Sequence, residues 1–248
     1  MIRAMIFDLD GTLVQTEKLK AQSYAQAAIE LCPDDLRAAE VIDAFKDVVG
    51  LSRREVAQAL MERFGLGARA RERMAEFGVD RPWQAFVQVR LGHYEAIIAD
   101  PEVLRRHRWP HTLGVLAEAR RAGCKTALAT MSRCEQVKHV LATLDLEGAF
   151  EFVASRDDVE RGKPDPEIYQ LVSDELQVPG GRCLVLEDSP SGVQAALAAG
   201  MWCIAVTTPF TRQSVRALGQ LDERWIVDEA EQVVEVVKAM VAERQSDG

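Results

Sequence analysis

Ala4-Met5-Ile6-Phe7-Asp8-Leu9-Asp10-Gly11-Thr12 runs four apolar residues straight into two carboxylates and a glycine. The apolar run reads as a strand. Asp8 and Asp10, two positions apart at its end, leave it on the same side because strand side chains alternate. Like charges held that close repel, so at least one must meet a cation, share a proton or lose its charge. Gly11 permits a tight turn that brings backbone N–H groups near whatever the carboxylates face. A nucleophilic carboxylate, a metal and a second acid/base carboxylate together explain the arrangement; an acidic turn at a strand end is the plainer alternative.

Four further apolar runs read as strands: Lys125–Ala129, Phe150–Ala154, Cys183–Leu186 and Trp202–Val206. Most do not alternate, as expected of a parallel sheet covered on both faces. Helical stretches separate them from Lys125 onward. The βα alternation predicts an α/β fold with a doubly wound, Rossmann-like parallel sheet and right-handed crossovers. Binding residues then gather at the carboxyl ends of the strands. Between the first two strands lies a segment too long for a crossover, helical at Leu19–Leu31, Arg53–Phe64 and Trp83–Ile98 and interrupted by Gly65, Gly67 and Gly78. It reads as an inserted all-helical cap domain, residues 15–105, with the catalytic core formed by residues 1–14 plus 106–248. Hinges are expected near Leu13–Gln15 and Arg105–Thr112, where Pro110 disfavours helix at Trp109.

Composition bounds the function. With 248 residues the chain can bury a large core, and 48% hydrophobic with 28% charged residues is ordinary for a globular enzyme. A net charge of -9 argues against a nucleic-acid binder while leaving room for a small phosphorylated ligand at a locally positive site. The 5 cysteines are an odd number without a C-x-x-C pair, which fits reduced thiols in the cytoplasm. Met1-Ile2-Arg3-Ala4 leads at once into acidic residues, so no signal peptide is expected, and no apolar stretch approaches membrane-spanning length. The oligomeric state is not fixed by the sequence; a monomer is compatible with it.

Two more strand ends and one helix start carry candidate chemistry. Thr130-Met131-Ser132 closes the second strand, and 132–135 has capping-box spacing, so a helix is expected to start at Ser132 with its free N–H groups facing outward. Thr130 there is a hydroxyl donor for an anionic oxygen or simply part of a cap. Lys163 precedes Pro164 and the Asp165-Pro166 start of a helix over Glu167–Leu176; it is either presented from a defined loop or a solvated charge. Glu187 and Asp188 follow the fourth strand, with Ser189 as a cap and Pro190 at the first helical position. Hard oxygen ligands of this type suit Mg²⁺.

The order of D-x-D-G-T, strand-then-Thr, Gly162-Lys163-Pro164 and Glu187-Asp188-Ser189 resembles the haloacid dehalogenase superfamily of phosphohydrolases over essentially the whole chain. Leu186-Glu187-Asp188-Ser189 with Gly192 is most similar to the branch containing β-phosphoglucomutases and small sugar-phosphate phosphatases. The resemblance implies that Asp8 attacks phosphorus and Asp10 serves as acid and base. It implies Mg²⁺ held by Asp8, the backbone carbonyl of Asp10 and Asp188, with Glu187 near it or bound through water. Thr130 and Lys163 would balance the phosphoryl charge. Asp10 also disfavours a dehalogenase, whose relatives lack that carboxylate.

Substrate choice is expected in the cap. Gly50-Leu51-Ser52-Arg53 resembles the mutase branch's substrate loop, and Thr16 matches there as well. Arg53 could fork onto a second anionic group or be the solvated first turn of a helix. Lys20 stands where mutases carry histidine and Gln15 replaces an aspartate, both favouring a hydrolase; Ser132 and Arg133 complete the candidate substrate contacts. Three readings remain open: a Mg²⁺-dependent phosphatase acting on a small phosphorylated metabolite such as a sugar phosphate, a phosphomutase, and a catalytically silent binding protein on the same fold.

Overall fold

The computed structural model describes residues 1–32, 36–49 and 51–246. Among the described residues six strands form one parallel sheet: β1 Ala4–Phe7, β2 Lys125–Ala129, β3 Phe152–Ala154, β4 Cys183–Glu187, β5 Trp202–Val206 and β6 Ile226–Val227. Their order is β3-β2-β1-β4-β5-β6, so the sheet winds one way from β1 through β2 and the other way through β4. Registers are fixed by ladders such as Ile6 opposite Ala127 on one side and Val185 on the other. β1 and β4 are buried along their whole length, which explains why their sequences run apolar without alternation. Phe7 alone, fully buried, contributes roughly 2 kcal/mol on the area scale.

Two expectations about strands need correction. The third strand starts at Phe152, not Phe150, because Phe150 turns its ring toward Phe7, with centroids 6.2 Å apart. β6 is a strand beyond the five read from the sequence, because its two residues give no periodic signal.

The chain divides into two compact units, Met1–Gln15 with Leu104–Gly248, and Thr16–Val103. In the first, the two strands of chain that lead out and back lie side by side: Gln15 N–H donates to His107 O at 2.7 Å and Trp109 N–H to Leu13 O at 2.8 Å. Pro110 opens a helix over Pro110–Arg121 behind an extended Trp109. From that helix the Thr112 hydroxyl donates to Thr12 O at 2.6 Å, pinning the loop after β1.

The second unit is all helical, with its longest helices over Thr16–Leu31, Arg53–Arg63 and Pro82–Ile98. Tyr24 anchors its core, with ring centroids 5.5 Å from Phe45 and 5.8 Å from Phe86. The helix from Arg53 starts in a true capping box: Ser52 Oγ accepts from Glu55 N and Glu55 Oε2 accepts from Ser52 N. Among the described residues no helix is long and apolar enough to cross a membrane.

Candidate active site

β1 and β4 are neighbours where the strand order reverses, the place at which doubly wound sheets open a crevice beyond their carboxyl ends. Asp8 and Glu187 sit at those two ends. Asp8 N–H donates to Leu186 O at 3.0 Å, so the parallel ladder carries one residue past β1 and fixes Asp8 beside β4. Gly11 then turns with φ 90°, a conformation L side chains rarely adopt, and its N–H closes the turn on Val14 O at 2.7 Å.

Lys163 ties the site together. Its ammonium donates to Asp8 Oδ1 at 2.7 Å, to Glu187 Oε1 at 2.6 Å and to Ala129 O at 2.9 Å. The side chain is 3% exposed, which excludes the solvated-charge alternative. It comes from the loop before the Glu167–Leu176 helix, where Glu167 N–H donates to Asp165 Oδ1 at 3.1 Å; Pro166 is the last residue before the helix rather than its first.

Glu187 is fastened at both oxygens. Besides Lys163, Tyr169 OH donates to Oε1 at 2.9 Å, and Oε2 accepts from Asp188 N, Ser189 N and Ser189 Oγ at 3.0, 3.1 and 3.0 Å. Ser189 caps the Pro190–Ala198 helix as expected, accepting from Gly192 N at 3.1 Å. The carboxyl group lies directly under Gly192, where an added Cβ would fall 1.8 Å from Glu187 Oε1.

The charges explain the protonation pattern. Burial pushes the Asp8 carboxyl up; Lys163 opposes it while the Glu187 and Asp10 carboxylates add to it, leaving the group raised to about 8. Burial also works against Glu187, but there the Lys163 charge and the hydrogen bonds from Lys163, Ser189 and Tyr169 prevail and hold the carboxyl below its usual range. Lys163, desolvated yet facing two carboxylates, is held above its usual range. Asp8, Glu187 and Asp188 each offer an oxygen, all within 4.8 Å of one another. One ammonium does not balance this cluster, and an all-oxygen donor set with surplus negative charge suits a hard divalent cation.

Ser132 does not cap a helix. The helix begins at Cys134 with Arg133 as the residue before it, and Asp157, from the turn after β3, accepts from Cys134 N at 2.8 Å. Ser132 Oγ instead donates to Asp10 Oδ2 at 2.5 Å, which competes for the hydroxyl a cap would need. Thr130, fully buried, accepts from Ser132 N at 3.1 Å through Oγ1, leaving its own hydroxyl hydrogen to give. Arg133 is exposed at this mouth.

Residues 2–200 match the family model of haloacid dehalogenase-like hydrolases. The chain belongs to this family. It is 32% identical over 222 residues to protein CbbY of Cereibacter sphaeroides, covering 86% of this chain and 87% of the relative. It is 31% identical over 200 residues to a phosphorylated carbohydrates phosphatase of Thermotoga maritima, covering 81% and 82%. A solved structure of a CbbY variant from Rhodobacter sphaeroides with xylulose-(1,5)bisphosphate superposes with a TM-score of 0.66 at 25% identity, covering 94% of this chain and 96% of that one.

Within this haloacid dehalogenase-like hydrolase, Asp8, Asp10, Thr130, Ser132, Arg133, Lys163, Glu187 and Asp188 all belong to the sheet-bearing unit. Thr16, Lys20 and Arg53 belong to the helical unit. There Thr16 is buried at the start of the first helix, Lys20 is half-buried and Arg53 is exposed in the capped turn after Ser52; Gly50 of the same loop lies outside the described residues. In the same unit Arg69 is paired to Glu72 and Arg73 to Glu30. Asp228 accepts from Thr207 Oγ1 at 2.6 Å and from Arg216 at 2.8 Å. Sequence reasoning missed Tyr169 and the steric role of Gly192. The single available hint was the short spacing from Lys163 to a buried aromatic on the following helix.

Proposed function

We propose that the chain is a Mg²⁺-dependent phosphoric monoester hydrolase acting on a small phosphorylated carbohydrate, with Asp8 as nucleophile. The observation that carries this reading is the buried Asp8–Lys163–Glu187 cluster at the switch point, with Asp10 two residues on and bonded to Ser132. An Asp8 oxygen attacks phosphorus and the ester P–O bond breaks. The leaving oxygen takes a proton from Asp10, and the phosphoryl group stays on Asp8 as an aspartyl-phosphate. In the second half Asp10 takes a proton from water as that water attacks phosphorus, the bond to Asp8 breaks and inorganic phosphate leaves.

Lys163 spends one hydrogen on Asp8 Oδ1. Once Asp8 is esterified that hydrogen can turn to a phosphoryl oxygen, so the charge that orients the nucleophile also steadies its product. The Thr130 hydroxyl hydrogen serves the same oxygens. Asp8, Asp188 and the Asp10 carbonyl would hold Mg²⁺, with Glu187 alongside. When bound, the ion neutralises phosphoryl charge and offsets the repulsion among the carboxylates.

The helical unit acts as a cap that selects the ester through Thr16, Lys20 and Arg53. Similarity to a phosphorylated carbohydrates phosphatase supports the substrate class. The 5 cysteines, all free thiols, support a cytoplasmic setting.

Phosphate release from a panel of monosaccharide phosphates and bisphosphates, with Mg²⁺ or chelator, tests the proposal. Wild type releases phosphate only with the metal, and Asp8→Asn releases none above background. Turnover by Asp8→Asn at near the wild-type rate overturns the covalent route, and isomerised product primed by a bisphosphate replaces the hydrolase with a mutase.

A further inference from the structure

We infer that Tyr169 is a positioning residue for Lys163, acting through Glu187, and so belongs to the phosphoryl-transfer apparatus rather than only to the core. Tyr169 is fully buried and sits in the apolar core with Ile6 and Val185 of the sheet and Val172 of its own helix. For packing alone, phenylalanine would fill that space without the cost of desolvating a hydroxyl. The hydroxyl is spent on one atom, Glu187 Oε1, the same oxygen that receives Lys163.

The ring does a second job. Its centroid lies 5.0 Å from Lys163 Nζ, within the range at which an aromatic face attracts an ammonium. Tyr169 therefore touches both members of the ion pair, holding the carboxylate with its hydroxyl and the ammonium with its ring. The other Glu187 oxygen is held from a different segment, by Asp188 and Ser189. Without the phenol, Oε1 would answer to Lys163 alone, and the pair could swing about the fixed Oε2. Lys163 and Tyr169 are six residues apart on one loop and helix start, so the segment that delivers the cation also delivers its guide.

The inference rests on the hydrolase reading, and its test separates the two. With a phosphate ester that the wild type hydrolyses, Tyr169→Phe, which keeps the ring, should lower kcat roughly tenfold, the scale of one hydrogen bond to a charged group. KM and the Mg²⁺ concentration for half-activation should stay within about twofold, a split that general loosening of the core would not give. On a Glu187→Gln background the same change should alter kcat less than about twofold, because the path to Lys163 is already cut. Wild-type kcat in Tyr169→Phe, or an equal loss on both backgrounds, overturns the inference. A wild type inactive on every ester would instead sink the hydrolase reading. In that case a cycle of Tyr169→Phe with Lys163→Met, read as Tm in chelator, still decides: coupled losses support the contact, and strictly additive ones remove it.

Discussion

Gly192 shows how much a missing side chain can determine. A Cβ there would meet both oxygens and the carboxyl carbon of Glu187 at 1.8–2.2 Å. The two oxygens are held by five hydrogen-bond donors, so the carboxylate cannot retreat without breaking some of them. Gly192→Ala should therefore cost about 2–4 kcal/mol in denaturant unfolding and lower kcat sharply, since Glu187 must leave Lys163 to make room. Stability within about 0.5 kcal/mol of wild type would show that the carboxylate moves without penalty. Tyr169 belongs to the same small set of contacts. It escaped sequence reasoning because its partner lies 18 residues away on another element, and neither residue advertises the other.

Among elements, the helix over Cys134–Thr143 separates the residue that caps it from the hydroxyl that faces Asp10. Asp157 is bonded to the Cys134 N–H, and Ser132 to Asp10. Asp157→Ala should cost about 1 kcal/mol of stability with kcat unchanged, measured by denaturation and steady-state hydrolysis. A loss of activity with full stability would reverse that assignment. The spacing of Ser132 and Glu135 satisfied the local rule for a helix start, yet a carboxylate 122 residues upstream outbid the backbone for the serine. Strands announced themselves wherever burial was two-sided: β1, β2 and β5 fall where the apolar runs put them, and β4 extends one residue further. The exceptions have physical reasons, since Phe150 serves Phe7 instead of the ladder and β6 is too short to carry a period. Lys163, Asp8 and Glu187 could be read as motif residues, but that one ammonium bridges both carboxylates became visible only with the fold.

Across the whole molecule, the charge surplus in the site ties stability to pH and to metal. Folding raises the Asp8 carboxyl from the usual carboxylate range to about 8, so its contribution is full below the unfolded value and is lost as pH climbs through 8. Chelated protein should accordingly lose on the order of a few kcal/mol between about pH 4 and 8 relative to Asp8→Asn, which lacks this titration. Glu187, held low, works in the opposite sense and weakens the fold only on acidification. At pH 8, Mg²⁺ at about a hundred times its Kd should return roughly 2.7 kcal/mol to wild type and little to Asp8→Asn, read as a shift in Tm. A flat pH profile in chelator would mean that Asp8 is not held against its neighbours.

Lys163 has a consequence beyond chemistry. Its three donors reach the ends of three adjacent strands: Ala129 on β2, Asp8 after β1 and Glu187 on β4. A slip of one residue between β1 and β4 would turn a receiving carboxylate to the opposite face and strand a buried ammonium. The lysine thus proofreads the alignment of the sheet, and a molecule able to turn over substrate is one whose central strands have been threaded correctly.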